Sequence, residues 1–318
     1  KRQKYGDTLS DDAFGGYEFD YVISNPPFGI DWKREKSQVE AEAKRGYDGR
    51  FGPGLPAISD GQMLFMLNGV KKLKEGSGRM AIIQNGSSLF TGDAGSGASE
   101  IRRYLIHEDL VEAIVQLPTD LFYNTGISTY IWVLTKGKPM SRSGRVQLID
   151  ASKCFVKRRK NIGSKRVDLD DACIDLILKA YEGFDQNEVY TADNLVVESK
   201  VFENDFFGFT KVTVETAQTD ANGKPLLKKG KKLPVKGATD SEIIPLSDDI
   251  DAYMAKNVLP YNPLAYIDPA KDKIGYEIPF TRLFYKFEAP EPSASIFEDI
   301  KALEAKETVL MKELFGNA

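Results

Sequence analysis

The sequence predicts an α/β fold in which a parallel-rich β-sheet carries helices on its faces. Short apolar runs alternate with longer amphipathic segments over the first 135 residues, which is the order expected of strands alternating with helices. Clusters of Gly and Pro separate many of these segments and mark the loops between them. The chain has 318 residues, of which 42% are hydrophobic and 28% charged, so it can bury a substantial core.

The elements follow in a regular order. A strand over residues 17–24 precedes a helix over 33–45 and a Gly- and Pro-rich loop over 46–60, which we expect to be mobile. The next elements are a helix over 62–74, a strand over 80–84 and a helix over 99–107 with Ser99 as its N-cap. Strands over 111–116 and 129–134 complete this part of the sheet.

The pattern becomes less regular after residue 144. Strands are predicted over 146–149 and 209–214, helices over 169–181 and 248–258, and a loop over 220–237. We therefore divide the chain into a first domain over 1–144, a mixed α/β extension over 145–289 and a terminal helix over 290–318.

Four residues directly after the first strand form the strongest functional signal. Asn25, Pro26, Pro27 and Phe28 lie where the carboxyl end of a strand meets a loop, which is where open α/β sheets bind ligands. The Asn25 side-chain oxygen and the Pro26 carbonyl are two acceptors that could hold an exocyclic amine, and the two prolines fix their geometry. Phe28 offers a flat surface on which a flipped base could stack. The pattern favours an amino-methyltransferase site, although Asn and Pro also occur in simple turns.

Several segments then resemble one family, the N6-adenine DNA methyltransferases, and within it the modification subunits of type I restriction-modification systems. The resemblance rests on NPPFG at 25–29, GRMAIIQNG at 78–86, LPTDLFYNTGISTYIWVL at 117–134, and KIGYEIPFTR at 273–282 followed by Phe284-Tyr285. The family more often has Pro where this chain has Gln84. The resemblance covers most of the chain and is weakest between residues 215 and 239.

The resemblance implies a fold and a set of partners. The fold is the carboxyl-terminal half of a Rossmann-like methyltransferase sheet that uses S-adenosylmethionine, followed by a mixed α+β region and a long terminal helix. It implies that Asn25, Pro26, Pro27 and Phe28 are catalytic, that Asn25 also faces the cofactor, and that double-stranded DNA, a DNA-specificity subunit and a restriction subunit are partners. A glutamine-N5 protein methyltransferase and a non-catalytic assembly module are the alternatives.

One part of the family pattern is missing. The family's glycine-rich cofactor loop precedes the NPPF motif, but only 24 residues precede Asn25 here. The glycine cluster over 92–99 has no lysine at the position that a phosphate loop requires, so it favours a flexible loop before a helix. We expect the chain to be a carboxyl-terminal portion of a longer protein and to be inactive alone. The strand before Asn25 should then have one edge where the missing half of the sheet belongs. We expect a neighbour to pair with this edge or the amino-terminal arm to cover it.

The distribution of charge suggests where DNA could bind. The net charge is −4, which is unusual for a protein that must neutralise phosphates. Seven basic residues and no acidic one lie between 153 and 166, however, and the centre of this run gives the candidate DNA contacts Lys157, Arg158, Arg159 and Lys160. A second lysine block over 224–236 favours a solvated loop.

The last segment carries an apolar stripe. Its members are spaced by 4, 3, 7 and 4 residues and Glu307 interrupts them: Ile296, Ile300, Leu303, Leu310 and Leu314. The resemblance favours docking of this helix on the DNA-specificity subunit, and packing against its own domain is the alternative.

The composition argues against several other classes of protein and of functional site. The chain has two cysteines without a CxxC motif and a single histidine, His107, so no metal site or His-based triad is expected. No apolar run is long enough to span a bilayer, and the first residues lack the apolar core of a signal peptide. We expect a cytoplasmic protein without a membrane partner.

Overall fold

A computed structural model describes residues 4–287 and 289–316. Two compact units are present, one ending at Phe280 and the other beginning at Thr281. The helices are α1 (Lys36–Ala43), α2 (Gln62–Lys71), α3 (Ser87–Phe90), α4 (Gly97–His107), α5 (Asp171–Gly183), α6 (Ile250–Asn257), α7 (Phe280–Phe284) and α8 (Ser293–Phe315). The strands are β1 (Tyr21–Ser24), β2 (Arg79–Asn85), β3 (Val111–Gln116), β4 (Thr129–Thr135), β5 (Arg145–Asp150), β6 (Val156–Ile162), β7 (Lys165–Asp168), β8 (Asn187–Ala192), β9 (Leu195–Glu203), β10 (Gly208–Ala217), β11 (Leu227–Lys228), β12 (Lys231–Lys232), β13 (Pro234–Pro245), β14 (Ala265–Ile267) and β15 (Lys273–Tyr276).

A seven-stranded sheet in the order β1-β2-β4-β3-β5-β9-β8 organises the larger unit. β1 and β2 are parallel, β3 and β5 are parallel, and β4 is antiparallel to both of its neighbours, so β1, β2, β3 and β5 all run in the same direction. The carboxyl ends of these four strands therefore lie along one edge of the sheet. This arrangement brings the loops after β1, β2, β3 and β5 to the same side of the molecule.

The two faces of the sheet are covered differently. On one face α2 packs against β2 and against α4, and Ile82 of β2 and Trp132 of β4 are fully inaccessible to solvent. On the other face α5 packs near β5 and β9, where Gln147 donates from its side-chain amide to the Ala180 carbonyl at 2.7 Å. α5 covers only part of this face, so Ile23 of β1 stays 88% exposed.

A second, smaller sheet lies in the same compact unit. β10 pairs with β13, β14 and β15, and it packs on α6 through a small apolar core that contains Val212, Ile244 and Met254. β15 holds part of the KIGYEIPF sequence. This sheet lies within the range 145–289 for which the sequence predicts a mixed extension.

Most of the predicted elements are present, with shifted ends. The predicted boundary at residue 144 falls inside the large sheet, because β5, β9 and β8 extend it beyond that point. Three details of the sequence interpretation are wrong. Ser96, not Ser99, caps α4, since the Ser96 hydroxyl accepts from the Ser99 N–H at 3.4 Å. The segment over 220–237 contains the hairpin β11–β12, and the sheet has more antiparallel than parallel pairings.

The arm, one of the two covers predicted for the edge of β1, does not pair with that strand over its described residues. The Thr8 carbonyl accepts from Arg50, and Asp12 forms a salt bridge with Lys72 just after α2. Among the described residues, β2 is the only strand that pairs with β1. The arm therefore leaves the outer edge of β1 open, and coverage by a neighbouring chain stays a prediction.

Candidate active site at the carboxyl edge of the sheet

The predicted corner lies at the end of β1 and faces outward. Asn25 is exposed, Pro26 is buried, Pro27 is exposed and Phe28 is half-buried. The Asn25 side chain makes no hydrogen bond within residues 4–287 and 289–316, so its amide is available to an incoming group. Gly29 turns the chain with a φ of +65°, a conformation that costs glycine little. The buried Pro26 anchors the corner, and the exposed Asn25 is accessible to a ligand.

The segment after the corner is held by the loop between α1 and α2. The Gly61 N–H donates to the Ile30 carbonyl at 2.9 Å, and the Trp32 N–H donates to the Ile58 carbonyl at 3.1 Å. The Trp32 indole also donates to the Ala57 carbonyl at 3.0 Å, and its ring is only 2% exposed. These three bonds restrain the chain within a few residues of Phe28.

The earlier part of the same loop is tied to the body of the protein rather than free. The Arg50 guanidinium is 7% exposed and binds the Glu42 carboxylate, and Phe51 is fully buried. A β-carbon on Gly97 would lie 1.8 Å from the Leu55 carbonyl oxygen, so the loop approaches α4 closely. The sequence predicted a mobile loop here. The structure shows a segment with several anchors, because buried side chains are spaced along it.

A polar network, in which Gln62 is buried and the other members are half-buried, joins this loop to the end of β2. The Gln62 side chain donates to Asp60 Oδ2 at 2.8 Å and to Asn85 Oδ1 at 2.7 Å, and it accepts from the Asn85 N–H at 3.0 Å. The Ser87 hydroxyl donates to Asp60 Oδ2 at 2.6 Å. The network fixes the start of α2 to the end of β2, the strand next to the corner.

Sequence reasoning missed this network. The one signal in the sequence is Gln62, a polar residue that begins a helix with a broad apolar face. The structure shows that Gln62 is only 1% exposed. Asn85-Gly86 joins β2 to the short helix α3. Two buried oxygens nearby, Gln84 Oε1 and Thr129 Oγ1, have no hydrogen-bond partner in the part of the chain that the structure describes. Gln84 is the position at which the chain departs from the family pattern.

The KIGYEIPF sequence packs behind the same edge. The buried Arg102 side chain donates from Nε to the Tyr276 carbonyl at 2.6 Å and from both terminal nitrogens to the Thr91 carbonyl at 3.0 Å. Burial lowers the pKa of Arg102 to about 10, so it stays cationic at neutral pH. The Ile278 N–H donates to the Leu89 carbonyl of α3 at 2.8 Å. This sequence therefore supports the segment that follows β2.

The predicted DNA contacts lie on a hairpin at the same edge. β6 and β7 form this basic hairpin, which starts a few residues after the carboxyl end of β5. The Arg166 N–H donates to the Asp120 carbonyl at 2.8 Å, and the Ser164 N–H donates to the Tyr123 carbonyl at 2.9 Å. Since the loop after β3 holds Asp120 and Tyr123, the hairpin is attached to the carboxyl edge that also carries Asn25.

The four candidate DNA contacts are not equivalent. Lys157, Arg159 and Lys160 are exposed, whereas Arg158 is half-buried and forms a salt bridge with Asp168. The Asp168 carboxylate also accepts from Lys165, and its pKa is lowered chiefly by that hydrogen bond. Arg158 therefore supports the hairpin, and the other three side chains are free to contact an anionic ligand.

The glycine cluster over 92–99 serves a local structural purpose. A β-carbon on Gly92 would lie 2.4 Å from the Ser96 hydroxyl, and Ser96 caps α4. Gly97 is the site of close approach to Leu55 described above. The cluster shapes the entry to α4, and the described residues do not form the glycine loop that would hold S-adenosylmethionine.

An apolar groove lies on the open face of the sheet. It has a volume of ≈590 Å³ and is lined by side chains of β1, β2, β3, β4 and α5, among them Tyr21, Ile23, Ile131 and Leu178. Tyr21 is 75% exposed. The groove borders the open edge of β1, so edge and face form one uncovered surface.

The predicted apolar stripe lies on α8, which spans 23 residues of the second compact unit. All five stripe residues are exposed, as is every other residue of α8: the five are Ile296, Ile300, Leu303, Leu310 and Leu314. None of the described helices is both long and apolar enough to cross a membrane.

Comparison with known proteins identifies the family. The family model described as N-6 DNA Methylase matches residues 1–222. The chain belongs to the N-6 DNA methylase family. Its curated relatives include the type I restriction enzyme MjaVII methylase subunit of Methanocaldococcus jannaschii, 29% identical over 63% of this chain, and the HindI methylase subunit of Haemophilus influenzae, 27% identical over 76% of it.

A solved structure shows the same architecture. The type I restriction-modification system methyltransferase subunit from Streptococcus thermophilus is 29% identical, with a TM-score of 0.50, over 62% of this chain and 38% of that one. The chain spans 33% of the length of the MjaVII relative and 51% of the HindI relative. These similarities confirm the predicted family and the predicted methyltransferase-like α/β fold.

Proposed function

We propose that this chain supplies the base-holding part of an N6-adenine DNA methyltransferase, within the modification subunit of a type I restriction-modification system. The observation that carries the proposal is the position of Asn25, which is exposed and unbonded among the described residues at the carboxyl end of β1, next to a buried Pro26. Family membership and the type I methylase relatives support the same reaction class.

The corner fits the chemistry of an aromatic amine. The lone pair of the adenine N6 amine is delocalised into the ring, so the amine is a weak nucleophile. Hydrogen bonds from this amine to the Asn25 side-chain oxygen and the Pro26 carbonyl would draw electron density toward N6. Because Pro26 and Pro27 have restricted backbone torsions and Trp32 restrains the following segment, both acceptors stay in position between turnovers.

Phe28 completes the part of the site that holds the base to be methylated. An enzyme that modifies a base inside a duplex must extrude that base and hold it in a pocket, usually against an aromatic side chain. Phe28 is half-buried, so the residue is partly accessible to a ligand. We assign Phe28 the stacking role and Asn25 and Pro26 the hydrogen-bonding role.

The proposal assigns only a small part of the binding site for the methyl donor to this chain. S-adenosylmethionine supplies an electrophilic sulfonium methyl group to enzymes of this class. The residues described here do not fit a complete cofactor site, because the glycine cluster over 92–99 is occupied in capping and packing α4. Asn25 is the one residue that we assign to the cofactor side, and we expect the 318-residue chain alone to be inactive.

The exposed cations of the basic hairpin fit the DNA backbone. Lys157, Arg159 and Lys160 lie on a hairpin attached to the edge that carries the corner. Contacts between cations and phosphates position a protein on DNA without reading the sequence. Sequence recognition is therefore assigned to a DNA-specificity subunit, which we propose docks on the stripe of α8, with a restriction subunit completing the complex. Modification of chromosomal DNA requires a cytoplasmic location.

A glutamine-N5 protein methyltransferase is a weaker candidate. Such enzymes usually have Tyr at the Phe28 position and lack a long terminal helix such as α8. The type I methylase subunits among the relatives also favour DNA as the substrate. A purely structural role for the chain would leave the exposed Asn25 corner without a purpose.

Methylation of adenine in duplex DNA tests the proposal. The full-length protein with its specificity subunit is compared with the Asn25→Ala and Phe28→Ala variants, using transfer of a labelled methyl group. We expect both variants to lose at least about a hundredfold in rate, with complex formation intact. Asn222→Ala, in an exposed loop, is the matched control and should keep full activity. Full activity in Asn25→Ala would overturn the mechanism.

A further inference from the structure

The five residues of the apolar stripe of α8 and the charged residue Glu307 together form one regular pattern. Steps of 4 and 3 residues alternate without a break through a seam formed by Ile296, Ile300, Leu303, Glu307, Leu310 and Leu314. This spacing is the heptad pattern by which one helix packs along another. Glu307 is therefore a charged residue at a position that a partner helix would cover, and it has no salt-bridge partner in the described part of the chain.

The residues beside the seam are mainly acidic. Asp299, Glu304 and Glu313 flank it, and Lys306 is the single flanking cation within α8. The side of the helix opposite the seam has the reverse balance, with Lys301 and Lys312 against the single acid Glu298. Negative charge is thus concentrated on the face that also carries the exposed apolar side chains, which we call the docking face.

A second copy of α8 in parallel orientation does not fit this face. Parallel pairing places Glu307 against Glu307 in the seam. It also places Asp299 of one helix beside Glu304 of the other on both sides of the pair, since residues five apart meet across a parallel seam. Every one of these contacts joins like charges, and such contacts suppress an association.

An antiparallel second copy meets the same difficulty. With Leu303 of one helix level with Glu307 of the other, Asp299 faces Glu313, Glu304 faces Glu304 and Lys306 faces Lys306. In the registers that overlap the whole seam, both orientations therefore bring like charges together. Antiparallel registers shifted by one heptad place Lys306 against Asp299 or Glu313, but they overlap only four of the six seam residues. Over the full length of the seam, the charge pattern disfavours self-association and favours a partner with the opposite pattern.

We propose that the docking face of α8 binds a helix of another protein that has an apolar seam edged with Lys or Arg and a cation opposite Glu307. The inference rests on the proposed function, in which α8 docks on a specificity subunit, and it adds the chemistry of that partner. A single polar residue in a seam sets register and partner choice at some cost in stability. Glu307 then discriminates between partners by charge.

Two synthetic helical peptides test this charge rule. Both carry the same leucine-isoleucine seam; one has Lys at its flanking positions and opposite Glu307, and the other has Glu there. Binding of each labelled peptide to the 318-residue chain is followed by fluorescence anisotropy at several salt concentrations. Glu307→Lys is compared with Glu298→Lys, which makes the same charge change on the side opposite the seam.

The expected result is a preference of at least about tenfold for the Lys peptide, which narrows as salt screens the charges. Glu307→Lys should weaken binding of the Lys peptide about tenfold, and Glu298→Lys should change it less than about twofold. Light scattering should show no self-association through α8. Equal binding of both peptides, binding of neither, or dimerisation that is lost on deletion of residues 293–318 would each overturn the inference.

A separate measurement distinguishes failure of the proposed function from failure of the charge preference of α8. If deletion of residues 293–318 leaves the complex with the specificity subunit intact, the docking assignment fails. The peptide preference would still hold in that case, and the partner would have to be a different protein with a basic helix.

Discussion

Gln62 and Asn85 exchange two hydrogen bonds: the Gln62 amide nitrogen donates to Asn85 Oδ1 at 2.7 Å, and the Asn85 N–H donates to Gln62 Oε1 at 3.0 Å. This pair joins the first residue of α2 to the last residue of β2. It therefore connects the two elements that lie beside the Asn25 corner, with Gln62 buried and Asn85 half-buried.

Removal of this pair should destabilise the chain. Gln62→Leu keeps the volume of the side chain but leaves the Asn85 N–H and Asp60 Oδ2 with fewer partners. We expect a loss of about 1–3 kcal/mol in the free energy of unfolding, measured by urea denaturation. Gln38→Leu, on the exposed side of α1, is the control and should change stability by less than about 0.5 kcal/mol.

Arg102 should be important to stability although it lies far from the corner in sequence. Arg102→Met removes the donors that satisfy the carbonyls of Tyr276, Ser88 and Thr91. We expect a loss of at least about 2 kcal/mol, because these carbonyls would remain buried without partners. Thermal unfolding followed by circular dichroism measures the loss.

The neighbouring Arg103 provides the control for that experiment. Arg103 is exposed and pairs with Glu100 on the same helix, so Arg103→Met should cost less than about 1 kcal/mol. Equal losses in the two variants would show that the buried bonds of Arg102 add nothing to a generic effect of removing charge from α4.

Glu42 should make stability depend on acidic pH. Burial raises the pKa of this carboxyl, but hydrogen bonds from the Arg50 side chain and N–H outweigh burial and hold the pKa below the ordinary value of 4.5. The ionised form is favoured in the folded state, so the stabilisation is complete above that value and is lost as pH falls through the folded pKa.

Comparison of the wild type with Glu42→Gln isolates this contribution. The difference in free energy of unfolding should be largest near pH 7 and should shrink as the pH falls below about 4.5. Urea denaturation at several pH values measures it. A difference that is constant between pH 7 and pH 3 would contradict the assigned cause.

The exposed cations of the basic hairpin should determine part of the salt dependence of DNA binding. Each phosphate contact contributes about −0.9 to the slope of log K against log salt, so replacing Lys157, Arg159 and Lys160 with Ala should reduce the slope by about 2–3. Filter binding by the full-length protein with its specificity subunit measures the slope. The matched control replaces Lys228, Lys229 and Lys231 of the hairpin β11–β12, and an equal reduction there would argue against a specific role for the basic hairpin.

The two cysteines should be unreactive in the folded chain. Both side chains are fully buried, and burial raises the pKa of the Cys154 thiol to about 12. The thiolate is the reactive form, so a disulfide reagent at pH 8 should modify neither cysteine until denaturant unfolds the protein. Rapid modification of either thiol under native conditions would show that the core around α5 opens readily.

The sequence predicted the main elements of the sheet because their patterns are local. The strands that became β2, β3 and β4 are short apolar runs between turn residues, and the end of each lies within a residue or two of the prediction. The NPPF corner was identifiable because Asn and Pro act on their own backbone and immediate neighbours. The stripe on α8 was also visible, since heptad spacing is a property of one helix.

The relationships that support the corner could not be predicted in the same way. The sequence predicts Ser99 as the cap of α4, whereas the helix begins at Gly97 and Ser96 makes the capping hydrogen bond, which only the backbone geometry shows. The hairpin of β6 and β7 appeared in the sequence as a block of positive charge. Its attachment to Asp120 and Tyr123 depends on backbone hydrogen bonds, which leave no trace in side-chain pattern.

The sequence by itself determined the α/β class, the family, the position of the Asn25 corner after a strand and the apolar seam of α8 that Glu307 interrupts, because each is visible in short local stretches of the chain. Tertiary structure alone decided that Asp60, Gln62, Asn85 and Ser87 form one network, and that Arg102 joins α4 to Tyr276. Residues separated by 23 or 174 positions meet there. Such contacts follow from the order and direction of strands in the whole sheet, which no local pattern encodes.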